Sequence, residues 1–272
     1  EYMQICGQFK QGNLAKQQVR LLVMTAENNI EWLTVEPGSV WLGSDDGRLA
    51  LHPVKSHPRH EVRIDYTFEI SKLAYPLNDL LKLSGIDREQ FEQEGLRPPS
   101  EGEWLLAHNQ GLVEQGDALW EKLADERPRN GFWEQRCDGQ PRKTNYKVKL
   151  DLMKKWGEHG HETSYSTEIT GAMKGKEVTR IVRAPQATNN PPRLPIEDKR
   201  PFFIREILFT VLVGIIPSIL WAYNFASSEY LTGNWTNIIG GGIFISLASG
   251  FVWRPKTASY RVSSDGSSME KI

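Results

Sequence analysis

Cysteine is nearly absent: the 272 residues hold two, Cys6 and Cys137. That excludes a disulfide scaffold and a four-cysteine zinc site. Net charge is also missing, because 33 Lys and Arg stand against 34 Asp and Glu, leaving −1. A protein devoted to nucleic acid would carry a basic excess, so no nucleic-acid partner is expected. There is no Gly-rich phosphate loop, no Gly-x-Ser-x-Gly elbow, no His-Glu-x-x-His pair and no twelve-residue calcium loop. The start of the sequence shows no apolar run of signal-peptide type. The mean hydropathy of −0.48 would suit a soluble protein, but it averages two unlike parts.

Charge is scarcest between residues 202 and 253, where only Arg205, Glu206 and Glu229 carry it. Ile207 to Phe225 and Trp235 to Trp253 are each uncharged over 19 residues. As helices each would extend about 28 Å, close to the hydrocarbon thickness of a bilayer. The linker Ala226–Asn234 is short, so a two-helix transmembrane hairpin is expected, with the lipid bilayer as a partner. Aromatic residues near the ends (Trp221, Tyr223, Tyr230, Trp235, Trp253) suit the interfacial belts. A buried hairpin in a soluble core is the competing reading. Small residues recur every four positions: Gly214, Ser218, Ala222 and Ala226, then Gly242, Ser246 and Gly250. Lipid gives helices no hydrophobic reason to associate, so close approach over small side chains must supply it. The two stripes are expected to face each other, or else one faces a second protein. Lys199, Arg200 and Arg205 precede the first run, and Arg254, Lys256 and Arg261 follow the second. The loop between has no Lys or Arg, so the N-terminal part and the tail are expected to be cytoplasmic.

The first 200 residues hold most of the charge and read as globular. Trp32–Val35, Ser39–Gly43, Glu61–Asp65 and Tyr66–Ile70 read as short strands between turns such as Glu36-Pro37-Gly38. Leu14–Asn29 is ambiguous between helix and strand, and Leu77–Leu83 has helical spacing. Ser100 followed by Glu103 predicts a capping box opening a helix.

Four segments carry a family resemblance. They are Val35-Glu36-Pro37-Gly38-Ser39-Val40-Trp41-Leu42-Gly43-Ser44, His57-Pro58-Arg59-His60-Glu61-Val62, Tyr66 to Ser71 with Pro76 to Leu80, and Gly95-Leu96-Arg97-Pro98-Pro99-Ser100-Glu101-Gly102-Glu103-Trp104. In this order they resemble the formylglycine-generating-enzyme (sulfatase-modifying factor) domain. The last is similar to its Arg-Leu-Pro-Thr-Glu-Ala-Glu-Trp motif. The resemblance covers about residues 33–110 and implies an α+β fold, irregular and C-type-lectin-like. It implies that Arg97, Glu101, Glu103 and Trp104 are a structural motif, a cap and a core anchor. After residue 110 the sequence departs from the family. The oxidase members use two late cysteines to hold copper, and here none lies beyond Cys137. A copper–thiolate site needs two converging soft ligands, so a catalytic role is not expected.

The expected organisation is an N-terminal extension (1–30), the formylglycine-generating-enzyme-like domain (31–185), and a Pro-rich stalk (186–202). The transmembrane hairpin (203–253) and a polar, Ser-rich, disordered tail (254–272) complete it. Trp120, Trp133 and Trp156 are candidate ligand-binding residues, with burial in the core as the plainer reading. His57, His60, His159 and His161 are candidate metal ligands only on the alternative reading of a divergent metal-dependent oxidase or sulfatase-modifying enzyme. On that alternative the cofactor would be calcium or a transition metal; on the main reading there is none. The main expectation is a membrane-anchored, non-catalytic module binding a membrane or cytoplasmic protein, or a ligand, at the cytoplasmic face. A third reading makes it an accessory subunit of a larger membrane complex.

Overall fold

A computed structural model of the protein describes residues 30–46, 56–76, 95–113, 120–126, 131–144, 151–157, 160–165, 178–185, 190–249 and 255–272. The side chains of residues 155–165 also fall outside that description. Expectations on Leu14–Asn29, Leu77–Leu83, His159 and Gly250 therefore lie outside the described residues. The fold is mixed α+β, with several sheets. The chain divides into two compact units. The first takes Glu1–Val40, Glu61–Arg127 and Arg136–Pro192; the second takes Trp41–His60, Pro128–Gln135 and Arg193–Ile272. Residues 41–60 and 128–135 thus group with the C-terminal part, a division that no local composition change marks.

In the first unit, Trp32–Val35 (β1) forms where aromatic and β-branched residues precede Pro37-Gly38, and strand Gly38–Leu42 (β2) follows directly. Strand β1 pairs antiparallel with Phe68–Ser71 (β4), from Trp32↔Ser71 to Val35↔Phe68. Leu96–Arg97 (β6) and Val182–Arg183 (β11) complete a sheet of order β1-β4-β11-β6. Its apolar face buries Val35, Phe68, Ile70, Leu96 and Val182. A second sheet joins Tyr75–Pro76 (β5), Trp120–Glu126 (β7), Asp151–Gly157 (β8), Gly160–Tyr165 (β9) and Val178–Thr179 (β10) in the order β5-β10-β7-β8-β9. The β7–β8 register shifts between Lys122 and Glu126. That irregularity breaks the two-residue alternation, so Leu123 through Glu126 are all buried.

Helix α1, Glu101–Asn109, starts at the expected capping box. The Ser100 hydroxyl accepts from the Glu103 N–H at 3.0 Å, and Glu103 Oε2 accepts from the Ser100 N–H at 2.8 Å. Ser100 also donates to the Gly139 carbonyl. Gly139 has φ +80°, and a Cβ there would collide with Ile64, so only glycine fits.

In the second unit the tail is ordered, against the expectation from its composition. Tyr260–Val262 (β12) and Met269–Lys271 (β13) form an antiparallel hairpin, and Tyr260 pairs in parallel with His60, the first residue of β3 (His60–Ile64). Polar residues build its turn: Asp265 accepts from the Ser263 hydroxyl at 2.5 Å and from the Ser267 N–H and hydroxyl at 3.1 and 2.7 Å. Serine and aspartate here replace apolar burial with local hydrogen bonds.

One continuous helix runs from Arg200 to Phe225, through α2 (Arg200–Phe209), a π-helical turn (Thr210–Ile215) and α3 (Ile216–Phe225). With 26 residues it is long and apolar enough to cross a membrane. Pro217 has no N–H and crowds the preceding turn. The wider turn just before it accommodates that, and the Ile216 N–H reaches Val211 O. After a one-turn helix α4 (Ser228–Gly233), α5 spans Trp235–Ser249, 15 residues. Gly214 and Gly242 meet backbone to backbone: a Cβ on Gly242 would lie 2.8 Å from the Ile215 Cα. The Ser246 hydroxyl bonds the Thr210 hydroxyl at 3.1 Å. Gly214, Ala222, Gly242 and Ser246 are buried and Ser218 is half-buried, while Ile207, Leu212, Trp221 and Phe244 are more than half exposed.

Candidate functional site

Around α1 the first unit gathers buried charge. Arg142 donates to Glu101 at 2.6 Å and to Asp125 at 3.0 Å; Lys154 reaches Glu101 at 3.1 Å. Asp125 also accepts the Glu101 and Arg142 backbone N–H groups at 2.5 and 2.6 Å. Two carboxylates thus face two cations with no net charge. Arg97 clamps Glu103 through two bonds of 2.7 Å, and the Tyr66 hydroxyl donates to the same carboxylate at 2.7 Å. Burial and the adjoining Glu103 carboxylate push the Tyr66 phenol well above its ordinary range. Trp104 is fully buried; its indole N–H donates to Glu121 at 2.9 Å, and Arg180 holds that carboxylate at 3.1 Å. His108 stacks on Trp104 at 5.3 Å. Desolvating each ion costs several kcal/mol, which only close pairing offsets, and each of these ions has an oppositely charged partner. Arg97, Glu101, Glu103 and Trp104 are thus all engaged in buried pairs between α1 and neighbouring segments. Their partners Glu121, Asp125, Arg142, Lys154 and Arg180 escaped sequence reasoning. No local pattern marked them: Arg142 stands in the polar run Gln140-Pro141-Arg142-Lys143-Thr144, and β7 is as rich in charge as a surface segment.

The second unit contains a cavity of about 330 Å³. Its wall combines His57, Trp133 and Tyr260 with Phe202, Arg205 and Lys271. Pro201, Phe202 and Arg205 come from the first turns of the apolar helix, and Tyr260 and Lys271 face each other across the β12–β13 register. The buried His57 ring nitrogen Nδ1 lies 3.0 Å from the Thr257 hydroxyl. Trp133 and Tyr260 meet edge to face at 5.7 Å. Partial burial raises the Tyr260 phenol, so it stays a neutral hydroxyl at pH 7. The Arg205 guanidinium lies over the Phe202 ring at 4.9 Å and reaches the Lys256 carbonyl at 3.5 Å. Asp198, also on the wall, accepts the Arg200 N–H at 2.9 Å. Apolar walls with a few placed polar groups are the usual make-up of a ligand site, and the volume is at the lower end of that range.

The predicted site residues scatter. Trp120 opens β7 and Trp156 lies on β8, both in the first unit; the Trp156 side chain lies outside the described residues. Trp133 alone of the three lines the cavity of the second unit. His57 and His60 are both buried near it, and His60 Nδ1 donates to the Pro58 carbonyl at 2.9 Å. Both rings thus have Nδ1 engaged, by Thr257 and Pro58. The His159 position and the His161 side chain lie outside the described residues. Among the described residues no three His, Cys, Asp or Glu side chains group to hold a metal. Cys137 is buried, its amide bonded to Pro192 O and its carbonyl to the Arg63 N–H, and Cys6 lies outside the described residues.

No family model matches the chain, and no curated protein matches it. Among solved structures, PvdO from Pseudomonas aeruginosa is similar at 14% identity and a TM-score of 0.39, covering 57% of this chain and 95% of that one. A likeness this distant carries no functional argument.

Proposed function

We propose that the chain is a membrane-anchored, non-catalytic recognition module. Its soluble part is a divergent formylglycine-generating-enzyme-like domain of C-type-lectin-like type, and its two apolar helices form a transmembrane hairpin. The observation that carries this reading is the inside-out character of those helices. Gly214, Ala222, Gly242 and Ser246 are packed inward, while the large apolar side chains face outward and only 6% of the most apolar stretch of the Arg200–Phe225 helix is buried. Water would penalise such a surface at about 25 cal/mol per Å², whereas lipid tails would not. The charge pattern of the flanks supports a cytoplasmic soluble part and tail in this reading. The non-catalytic reading draws support from α1, where the carboxylates that resemble the family motif are committed to structural pairs. The module would bind a ligand or a protein at the membrane surface.

The test is flotation of the full chain with liposomes, followed by alkaline carbonate extraction. Co-flotation that resists carbonate is expected. Recovery of the intact chain from the aqueous fraction without detergent would overturn the anchor.

A further inference from the structure

The cavity of the second unit has a depth as well as a lining. Its helical wall, Pro201 to Arg205, ends two residues before the uncharged run that begins at Ile207. Four helical steps cover about 6 Å, and each headgroup layer of a bilayer is about 5–8 Å thick. With the run from Ile207 in the hydrocarbon, this wall occupies the headgroup layer. The charged wall residues are Arg205, Lys271 and Asp198, two cations to one anion, and Asp198 is engaged with the helix start at Arg200. The Arg205 guanidinium rests over the Phe202 ring at 4.9 Å, which restricts it before it meets an anion. Tyr260 offers a neutral hydroxyl, and Pro201, Phe202 and Ile196 offer apolar surface beside the charges. A site that is cationic on one part and apolar on another, at the depth where phosphates lie, matches an amphiphile and not a simple ion.

We propose that this cavity is a binding site for the phosphate headgroup of an anionic phospholipid, with Arg205 and Lys271 as its cationic contacts. The inference rests on the membrane reading above and names the ligand class of the same module. The lipid docks the soluble face of the second unit to an anionic leaflet and ties its affinity to lipid composition.

The experiment reconstitutes the full chain in nanodiscs of phosphatidylcholine with or without phosphatidylglycerol. Lipid retained after mild delipidation is counted by native mass spectrometry. Retention of phosphatidylglycerol over phosphatidylcholine is expected. Lys271→Gln, at an exposed strand end, should weaken it several-fold, and Arg205→Gln with Lys271→Gln by on the order of tenfold or more. Lys271→Arg should keep it. Equal retention of the two lipids, or retention unchanged in the double variant, overturns the proposal while leaving the anchor intact. Displacement of the lipid by millimolar inorganic phosphate would mark a soluble-phosphate site and also overturn it. A chain that fails to float with liposomes sinks the membrane reading itself, so the two failures are distinguishable.

Discussion

Arg142 illustrates how single residues act here. Its guanidinium holds Glu101 and Asp125 in a site closed to water. Arg142→Leu leaves two buried carboxylates short of a cation, and a loss of about 3–5 kcal/mol of stability is expected. Thermal unfolding of the detergent-solubilised chain, followed by tryptophan fluorescence, would measure it. Ser100→Ala should cost about 1 kcal/mol, since it removes a cap that anchors α1 at one N–H. Asp265 gives a pH signature. Hydrogen bonds from the Ser263 and Ser267 hydroxyls and the Ser267 amide lower its carboxyl to about 2. A depressed folded-state value stabilises above the ordinary carboxylate range and loses that contribution as pH falls toward about 2. Amide exchange in the 263–268 turn, taken relative to the intrinsic rate at each pH, should therefore rise between about pH 4 and 2 in the wild type. Asp265→Asn, which removes the titrating group, should flatten that rise.

Among elements, the pair of apolar helices is the most sensitive to a single side chain. Gly214 and Gly242 leave no room for a Cβ, so Gly242→Leu must push the helix backbones apart. With Thr210 and Ser246 changed to cysteine, their side chains should cross-link readily, because the hydroxyls are 3.1 Å apart. Gly242→Leu in that background should abolish the cross-link; an unchanged yield would show that the contact does not depend on the glycines. The small-residue spacing was legible because a four-residue repeat is written in adjacent letters. Strand β7, Trp-Glu-Lys-Leu-Ala-Asp-Glu, was not legible. Its alternation is broken by a register shift, and its acids are buried only because Arg180, Arg142 and Thr144 arrive from elsewhere.

At the scale of the whole molecule, the proposed topology makes a directional claim. With two crossings, cysteines placed at Lys199 and Lys256 should be labelled by an impermeant reagent from one side only. A cysteine at Glu229 should be labelled from the other. A single crossing would separate Lys199 from Lys256 instead. The division into two units also operates at this scale. Residues 41–60 and 128–135 join a unit whose remainder begins at Arg193, so its cavity assembles from segments far apart in sequence.

The sequence by itself determined the short strands around residues 32–35 and 60–71, the cap of α1, and the long apolar helix. These depend on local propensity, hydrogen bonding within one turn, and a run of uncharged residues, all of which are nearest-neighbour properties. It did not determine that a serine-rich tail would order into a hairpin, which buried acids would meet which bases, or that Trp133 would part from Trp120 and Trp156. Those depend on which distant segments pair, and the free energy of a buried charge or of a cavity wall is set by partners that only the tertiary structure brings within reach.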